Sequence, residues 1–349
     1  MSVLPWIGFV VLVILLLAFD LGVLHRKAQE FGTARALRAT AGWVALALCF
    51  NVAVYFMYEH GWFGIGTHYG QSQSGAQAAA QFLTAYVVEE SLSIDNLFVM
   101  AMIFRYFAVP SAIQHRVLFL GILGALVFRG VFIGAGLAFI HSFAWAIYAF
   151  GGLLVVTALR LLFSKEDGVH PDKHPLVRLV QYIYPMTSEY HGDRFFVRIA
   201  GKLTATPLCL ALVLIEGSDI VFAVDSVPAV FGVTRDPFIA FTSNVFAMLG
   251  LRSLYFALAA ALGSFKYLKY SLVFVLGFVG VKMLLSEVAP IGTLVSLAAI
   301  ATMLGAGVIT SLLAAGSDSL PPGGGDDVSG NDPPGLGPRT ESARSSGSD

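Results

Sequence analysis

Two stretches carry acids where apolar residues are the rule. VVEESLSIDNLF, from Val87, holds Glu89, Glu90 and Asp95, and EGSDIVFAVDSVPAV, from Glu216, holds Glu216, Asp219 and Asp225. An acid at the centre of a membrane helix costs about 2.5–3.5 kcal/mol, so six unpaired ones would cost on the order of 15–20 kcal/mol. Protonation, basic partners or a bound cation can offset that. Arg129, Arg252 and Lys282 are the basic residues inside apolar segments, too few to neutralise six carboxylates. A divalent cation removes two charges at once and uses the oxygens as ligands. Beside the acids stand the side-chain oxygens of Ser93, Asn96, Ser218 and Ser226, and such an all-oxygen set suits Mg, Ca or Mn rather than Zn or Cu. Cys209 and Met100 lie in the same segments, which leaves a softer ligand open. An acidic pocket repels oxyanions. The competing explanation is a polar network that clamps helices together, although such glue normally uses neutral side chains.

Helical spacing limits how these acids cooperate. Glu89, Ser93 and Asn96 share one stripe, and Asp219, Phe222 and Ser226 share another. Asp95 and Asp225 each point about 120° away from the acid six residues upstream. Either the acids of one helix face different neighbours, or the helix is interrupted. Gly217 and Pro228 make interruption credible in the second stretch, where a proline would free the Val224 carbonyl.

Elements that could hold this chemistry follow from composition. The 349 residues are 57% hydrophobic and 12% charged, with a mean hydropathy of +0.77, whereas a soluble domain is about 25% charged. The expected fold is an all-α polytopic membrane bundle of nine spans: 3–24, 41–59, 78–104, 117–140, 143–163, 203–231, 237–261, 270–288 and 291–315. Lys and Arg alternate between rich and poor loops at every crossing, which predicts the N-terminus outside and the C-terminus inside. No basic residue precedes the first apolar run, so it is expected to be a span rather than a cleavable signal. A net charge of −1 without a basic stripe argues against a nucleic-acid partner. Cys49 and Cys209 sit in apolar segments and are expected to be buried hydrophobes. Residues 164–202 form a long, basic, cytoplasmic loop where protein partners could dock, and the Pro/Gly/Ser/Asp-rich residues 316–349 are expected to be a disordered cytoplasmic tail beyond a membrane domain of 1–315.

The acid stretches also look like copies of one unit. Aligning Asp95-Asn96 with Asp225-Ser226 sets Glu89 opposite Asp219, and RLLFS from Arg160 matches KMLLS from Lys282. An offset of three spans inverts the second copy, giving a 3+3 inverted repeat of about 78–164 and 203–288, with the site near the midplane. Asp20, near the end of the first span, is either an ion-path acid or an interfacial residue paired with its own loop. His170 and His174, flanked by Pro171 and Pro175, are expected to be surface residues. There is no nucleophile–base arrangement, phosphate loop or dinucleotide fingerprint, so neither an enzyme nor a cofactor is expected, and a protease built on Asp95 and Asp225 lacks motif context.

The stretches EESLSIDNLFVMAMIF, TPLCLALVLIEGSDIVFAVDSVPAVFGVTRDPFIAFTSNVFAMLGLRSLYFAL and GVKMLLSE closely resemble the TerC/Alx family of bacterial integral membrane proteins, and the likeness runs from AFDLGVLHRK through the eighth span. The resemblance implies three-span inverted repeats of the LysE transporter type, location in the bacterial cytoplasmic membrane, and links to tellurium resistance and manganese export. It assigns the acidic motifs to Glu89, Glu90, Asp95 and Asn96 and to Glu216, Asp219, Asp225 and Ser226. It adds Asn244, Arg252 and Lys282 as an adjoining polar signature. The expected function is export of Mn²⁺ or a similar divalent cation with proton exchange, Arg252 and Lys282 balancing charge in the empty state. The alternative is a non-transporting scaffold of a stress-response or secretion complex.

Overall fold

The computed structural model describes residues 3–20, 33–65, 73–163, 175–259 and 268–318. Among them are ten α-helices: α1 Leu4–Phe19, α2 Thr33–Glu59, α3 Gly75–Tyr106, α4 Ser111–Ser142, α5 Ala146–Phe163, α6 Pro175–Ile183, α7 Pro207–Phe231, α8 Pro237–Ala259, α9 Leu268–Leu284 and α10 Thr293–Asp318. Six of these, α2, α4, α5, α7, α8 and α10, are long and apolar enough to cross a membrane. The other long helices fall short for identifiable reasons. α1 and α9 have 16 and 17 described residues, and α3 has 32 but carries the three acids.

Local chemistry sets the helix ends. Ser74 Oγ accepts from the Gln77 N–H at 3.3 Å to start α3, and Asp236 Oδ1 accepts from the N–H groups of Phe238 and Ile239 at 2.8 and 3.1 Å to start α8. Pro207 opens α7 at a position where its missing N–H costs nothing. Pro228 lies only one turn from the end of α7, so the helix runs unbroken through it and through Gly217. The expected interruption is absent from α7.

Two sequence expectations need amendment. Residues 203–205, expected in the sixth span, belong instead to a β-hairpin of Phe196–Ile199 (β1) and Lys202–Ala205 (β2), paired Phe196↔Ala205 through Ile199↔Lys202. The turn-forming pair Ala200 and Gly201, both at positive φ, explains it. The loop before α7 is thus partly ordered, as α6 and this hairpin. Asp318 ends α10, and residues 319–349 of the expected tail lie outside the described residues, as do His170 and His174. Cys209 is buried as expected, but Cys49 is exposed on α2.

Helices α3 and α7 run antiparallel at the centre: Phe104, near the end of α3, shares a cluster with Leu208 at the start of α7, while Ala85 and Val88 share one with Val230 and Phe231 at the end of α7. α3 also packs on α8, α4 on α7 and α8, and α5 on α9. α5 and α9 approach so closely that a Cβ on Gly280 would lie 2.9 Å from the Gly151 carbonyl oxygen. Around this centre, α4, α5, α7, α9 and α10 turn Val131, Val156, Val221, Phe274 and Leu294 outward, fully consistent with a lipid-facing surface.

Candidate functional site

At the centre of the bundle is Arg129, the one charged residue between 117 and 140 and only 1% exposed. Its guanidinium forms an ion pair with Glu89 of α3. Nη2 donates to Asp219 Oδ1 of α7 at 3.2 Å and Nη1 to Ser226 Oγ at 3.3 Å. Asn96 Nδ2 donates to the same Asp219 oxygen at 3.4 Å. The expected stripe of Glu89, Ser93 and Asn96 and the stripe of Asp219 and Ser226 therefore meet face to face, with Arg129 of α4 between them. All five of these side chains are buried.

Two carboxylates against one guanidinium leave a surplus of one negative charge when both are ionised. Glu89 Oε1 is taken up by the Arg129 ion pair, while Glu89 Oε2, Asp219 Oδ2, Ser93 Oγ and Arg129 Nε are enclosed and make no hydrogen bond. Buried oxygens of this kind are costly unless something occupies their lone pairs. Among the described residues no three of Asp, Glu, His or Cys converge on one point. Any ligand set here combines two carboxylates with the neutral oxygens of Ser93, Asn96 and Ser226.

The remaining acids face other neighbours, as a continuous helix requires. Thr157 of α5 donates to Asp225 Oδ1 at 2.9 Å, and Arg160 acts on the same carboxyl electrostatically. Asp95 feels the charge of Lys269 at the start of α9. Asp95 and Asp225 thus lie on other faces of α3 and α7, each about 9 Å along its own helix from the acid six residues upstream at 1.5 Å per residue. Glu90 points at α8, its Oε1 3.9 Å from where a Cβ on Gly250 would stand. Glu216 lies over Gly124 of α4, its carboxylate occupying the space a Cβ would fill. Gly124 and Gly250 stand equally far into α4 and α8, counted from Ser111 and Pro237.

The supporting residues are dispersed. Arg252 is buried and pairs with Asp20 at the end of α1, so Asp20 does take a basic partner, but from α8. Asn244 is buried in α8, and its amide nitrogen makes no hydrogen bond. Lys282 lines a cavity of about 740 Å³ with Arg235, Asp236 and His141 near the end of α7. Charge balance at the central pair comes from Arg129, not from Arg252 or Lys282. The available signal was a lone arginine at the middle of a long apolar run; Thr157 and the two glycines gave none.

Comparison with known proteins agrees with this architecture. The integral membrane protein TerC family matches residues 74–319. A Myxococcus xanthus protein, described only as an uncharacterised membrane protein, is 45% identical over 301 residues, covering 86% of this chain and 89% of its own. Alx proteins of Salmonella typhi and Escherichia coli K12, described provisionally as membrane-bound redox modulators, are 42% and 43% identical over 303 and 300 residues, covering 86% of this chain and 91% of each of theirs. No solved structure matches the chain.

Proposed function

The chain belongs to the TerC family of integral membrane proteins, and from that premise we propose that it exports a divalent cation, Mn²⁺ foremost, across the bacterial cytoplasmic membrane by alternating access. The observation that carries this reading is the meeting of Glu89 and Asp219 on buried Arg129 with carboxylate oxygens left over. In the resting state Arg129 stands in as a tethered cation that holds the two acids together. An arriving divalent ion takes their free oxygens together with Ser93, Asn96 and Ser226. Asp95 and Asp225, on other faces of the same two helices, serve as way stations for the ion. Glu90 and Glu216 add carboxyl groups at the α3–α8 and α4–α7 seams. Carboxylates that release a cation can take up protons, which makes inward proton exchange the natural counterflow.

An inverted repeat supports alternating access. Exchanging α3, α4 and α5 for α7, α8 and α9 maps the α3–α8 packing onto α4–α7 and leaves α5–α9 and α3–α7 in place. It also maps the Glu90–Gly250 approach onto Glu216–Gly124. That correspondence pairs Glu90 with Glu216, a register four residues from the one that aligns Glu89 with Asp219. In this reading α1, α3 and α9 join the six apolar helices as spans, making nine, with the N-terminus outside and the C-terminus inside. A redox effect of the kind named for the relatives would be indirect, since moving a cation changes the metal available to redox enzymes. Cellular manganese and manganese tolerance, measured in a deletion strain carrying wild-type protein or Asp219→Asn, test the proposal. The wild type should lower the metal content and the variant should not; equal content in both ends the proposal.

A further inference from the structure

The segment between α5 and α7 is docked firmly on one side and left apolar on the other. Val177 and Val180 of α6 pack into the cluster built on Phe104, Leu208 and Tyr255. Tyr190 donates its hydroxyl to the Phe107 carbonyl at 2.6 Å, and Asp193 pairs with Arg116. Arg116 also lies over the Phe195 ring, 5.6 Å from its centroid. Thr206, just before α7, donates to the Arg194 carbonyl at 2.8 Å. These contacts fix the segment against the ends of α3, α4 and α7.

Its outward side is unlike that of a solvated loop. On α6, Leu179, Tyr182 and Ile183 form an i, i+3, i+4 stripe opposite Val177 and Val180, and Tyr182 is 90% exposed. On the hairpin, Phe196 and Leu203 are exposed on one face and Ile199 on the other. Cations stand among them: Arg178 on α6, Arg194, and Arg198 and Lys202 directly across the hairpin from Leu203 and Ile199. None of these four makes an ion pair among the described residues, while of the two acids in the described part of this segment (175–206), Glu189 and Asp193, the second is already paired with Arg116.

We propose that α6 and the β1–β2 hairpin form an interfacial patch that binds acidic phospholipid headgroups at the bilayer face where α5 ends and α7 begins. Position makes this the first surface the patch meets: the segment hangs between two membrane-crossing helices, and Pro207 follows β2 after a single residue. The residue types fit that boundary. Apolar side chains enter the acyl margin, tyrosine favours the headgroup level, and Arg and Lys reach outward to phosphate from an apolar base. Four unpaired cations are complementary to an acidic leaflet rather than to a neutral one.

The test uses full-length protein with Cys49→Ser and Cys209→Ala, a nitroxide on Tyr182→Cys, and reconstitution into vesicles of phosphatidylcholine with or without phosphatidylglycerol. Access of oxygen and of a water-soluble nickel complex to the label reports its depth. The proposal expects a several-fold drop in nickel access when phosphatidylglycerol is present. That drop should vanish in a variant that also carries Arg178→Gln, Arg194→Gln, Arg198→Gln and Lys202→Gln. Full nickel access in both lipids would overturn the proposal and leave the face to a soluble partner. Should the labelled variant fail to fold, lipid co-purifying with unlabelled protein gives the same decision. Phosphatidylglycerol should be enriched on wild type and depleted on the fourfold Gln variant, and equal lipid on both overturns the idea.

Discussion

Two buried arginines in this bundle meet acids in different ways. Arg252 of α8 pairs with Asp20 at the end of α1, tying a peripheral helix to the core. Arg129 of α4 meets Glu89 and Asp219 from the two central antiparallel helices and leaves oxygens of both without a hydrogen bond. The first arrangement sets one acid against one arginine among the described residues. With both acids ionised, the second carries one negative charge too many, among side chains that are buried. A clamp accounts for the first, while the second has room in its chemistry for a cation.

The largest expected effect is on stability at Arg129. Arg129→Met orphans two buried carboxylates and should cost about 3–5 kcal/mol, the range for breaking one partner from a buried ion pair. Arg252→Met takes one basic partner from a single carboxylate at a helix end and should cost less. Reversible unfolding in lipid–detergent micelles ranks them, and equal losses would remove the distinction between the sites. Adding Asp219→Asn to Arg129→Met should recover about 1–3 kcal/mol, because the amide no longer requires a counter-charge.

Smaller effects separate the two glycine seams. Gly124→Ala drives a methyl into the space of the Glu216 carboxylate and should destabilise by about 1–3 kcal/mol. Gly250→Ala meets Trp43 Cβ at 3.6 Å and Glu90 at 3.9 Å, ordinary contact distances, and should stay within about 0.5 kcal/mol of wild type. Smallest is Thr157→Val, which removes one hydrogen bond to Asp225 and should cost about 0.5–1.5 kcal/mol by the same unfolding measurement. A larger loss would mean that Asp225 belongs to the charge network around Arg129 after all.

Much of this was legible in the sequence because burial and periodicity are written there. The 3.6-residue spacing put Glu89, Ser93 and Asn96 on one face, and that face meets the Asp219 and Ser226 face across Arg129. The same spacing sent Asp95 and Asp225 elsewhere, although Pro228 suggested a break that its place in the last turn of α7 makes harmless. Partner choice was less legible. Nothing local distinguishes Arg129 from Arg252 as the counter-charge, since both are lone cations in apolar runs and only the packing of α4 on α7 and α8, which brings Arg129 to Glu89 and Asp219, decides. The hairpin before α7 was missed because KLTAT reads equally well as the start of an apolar helix, and the turn at Ala200–Gly201 is what stops it.

Equilibrium binding of Mn²⁺ to the purified full-length protein tests the central claim most directly, with wild type compared against Glu89→Gln and Asp20→Asn. Glu89→Gln should weaken binding by about tenfold or more, the loss of one charged ligand being worth roughly 1.5–3 kcal/mol. Asp20→Asn, which alters the Arg252 ion pair rather than the Arg129 centre, should leave affinity within about twofold. Binding that ignores Glu89→Gln, or that falls equally in both variants, would contradict the assignment of the Arg129 centre as the cation seat.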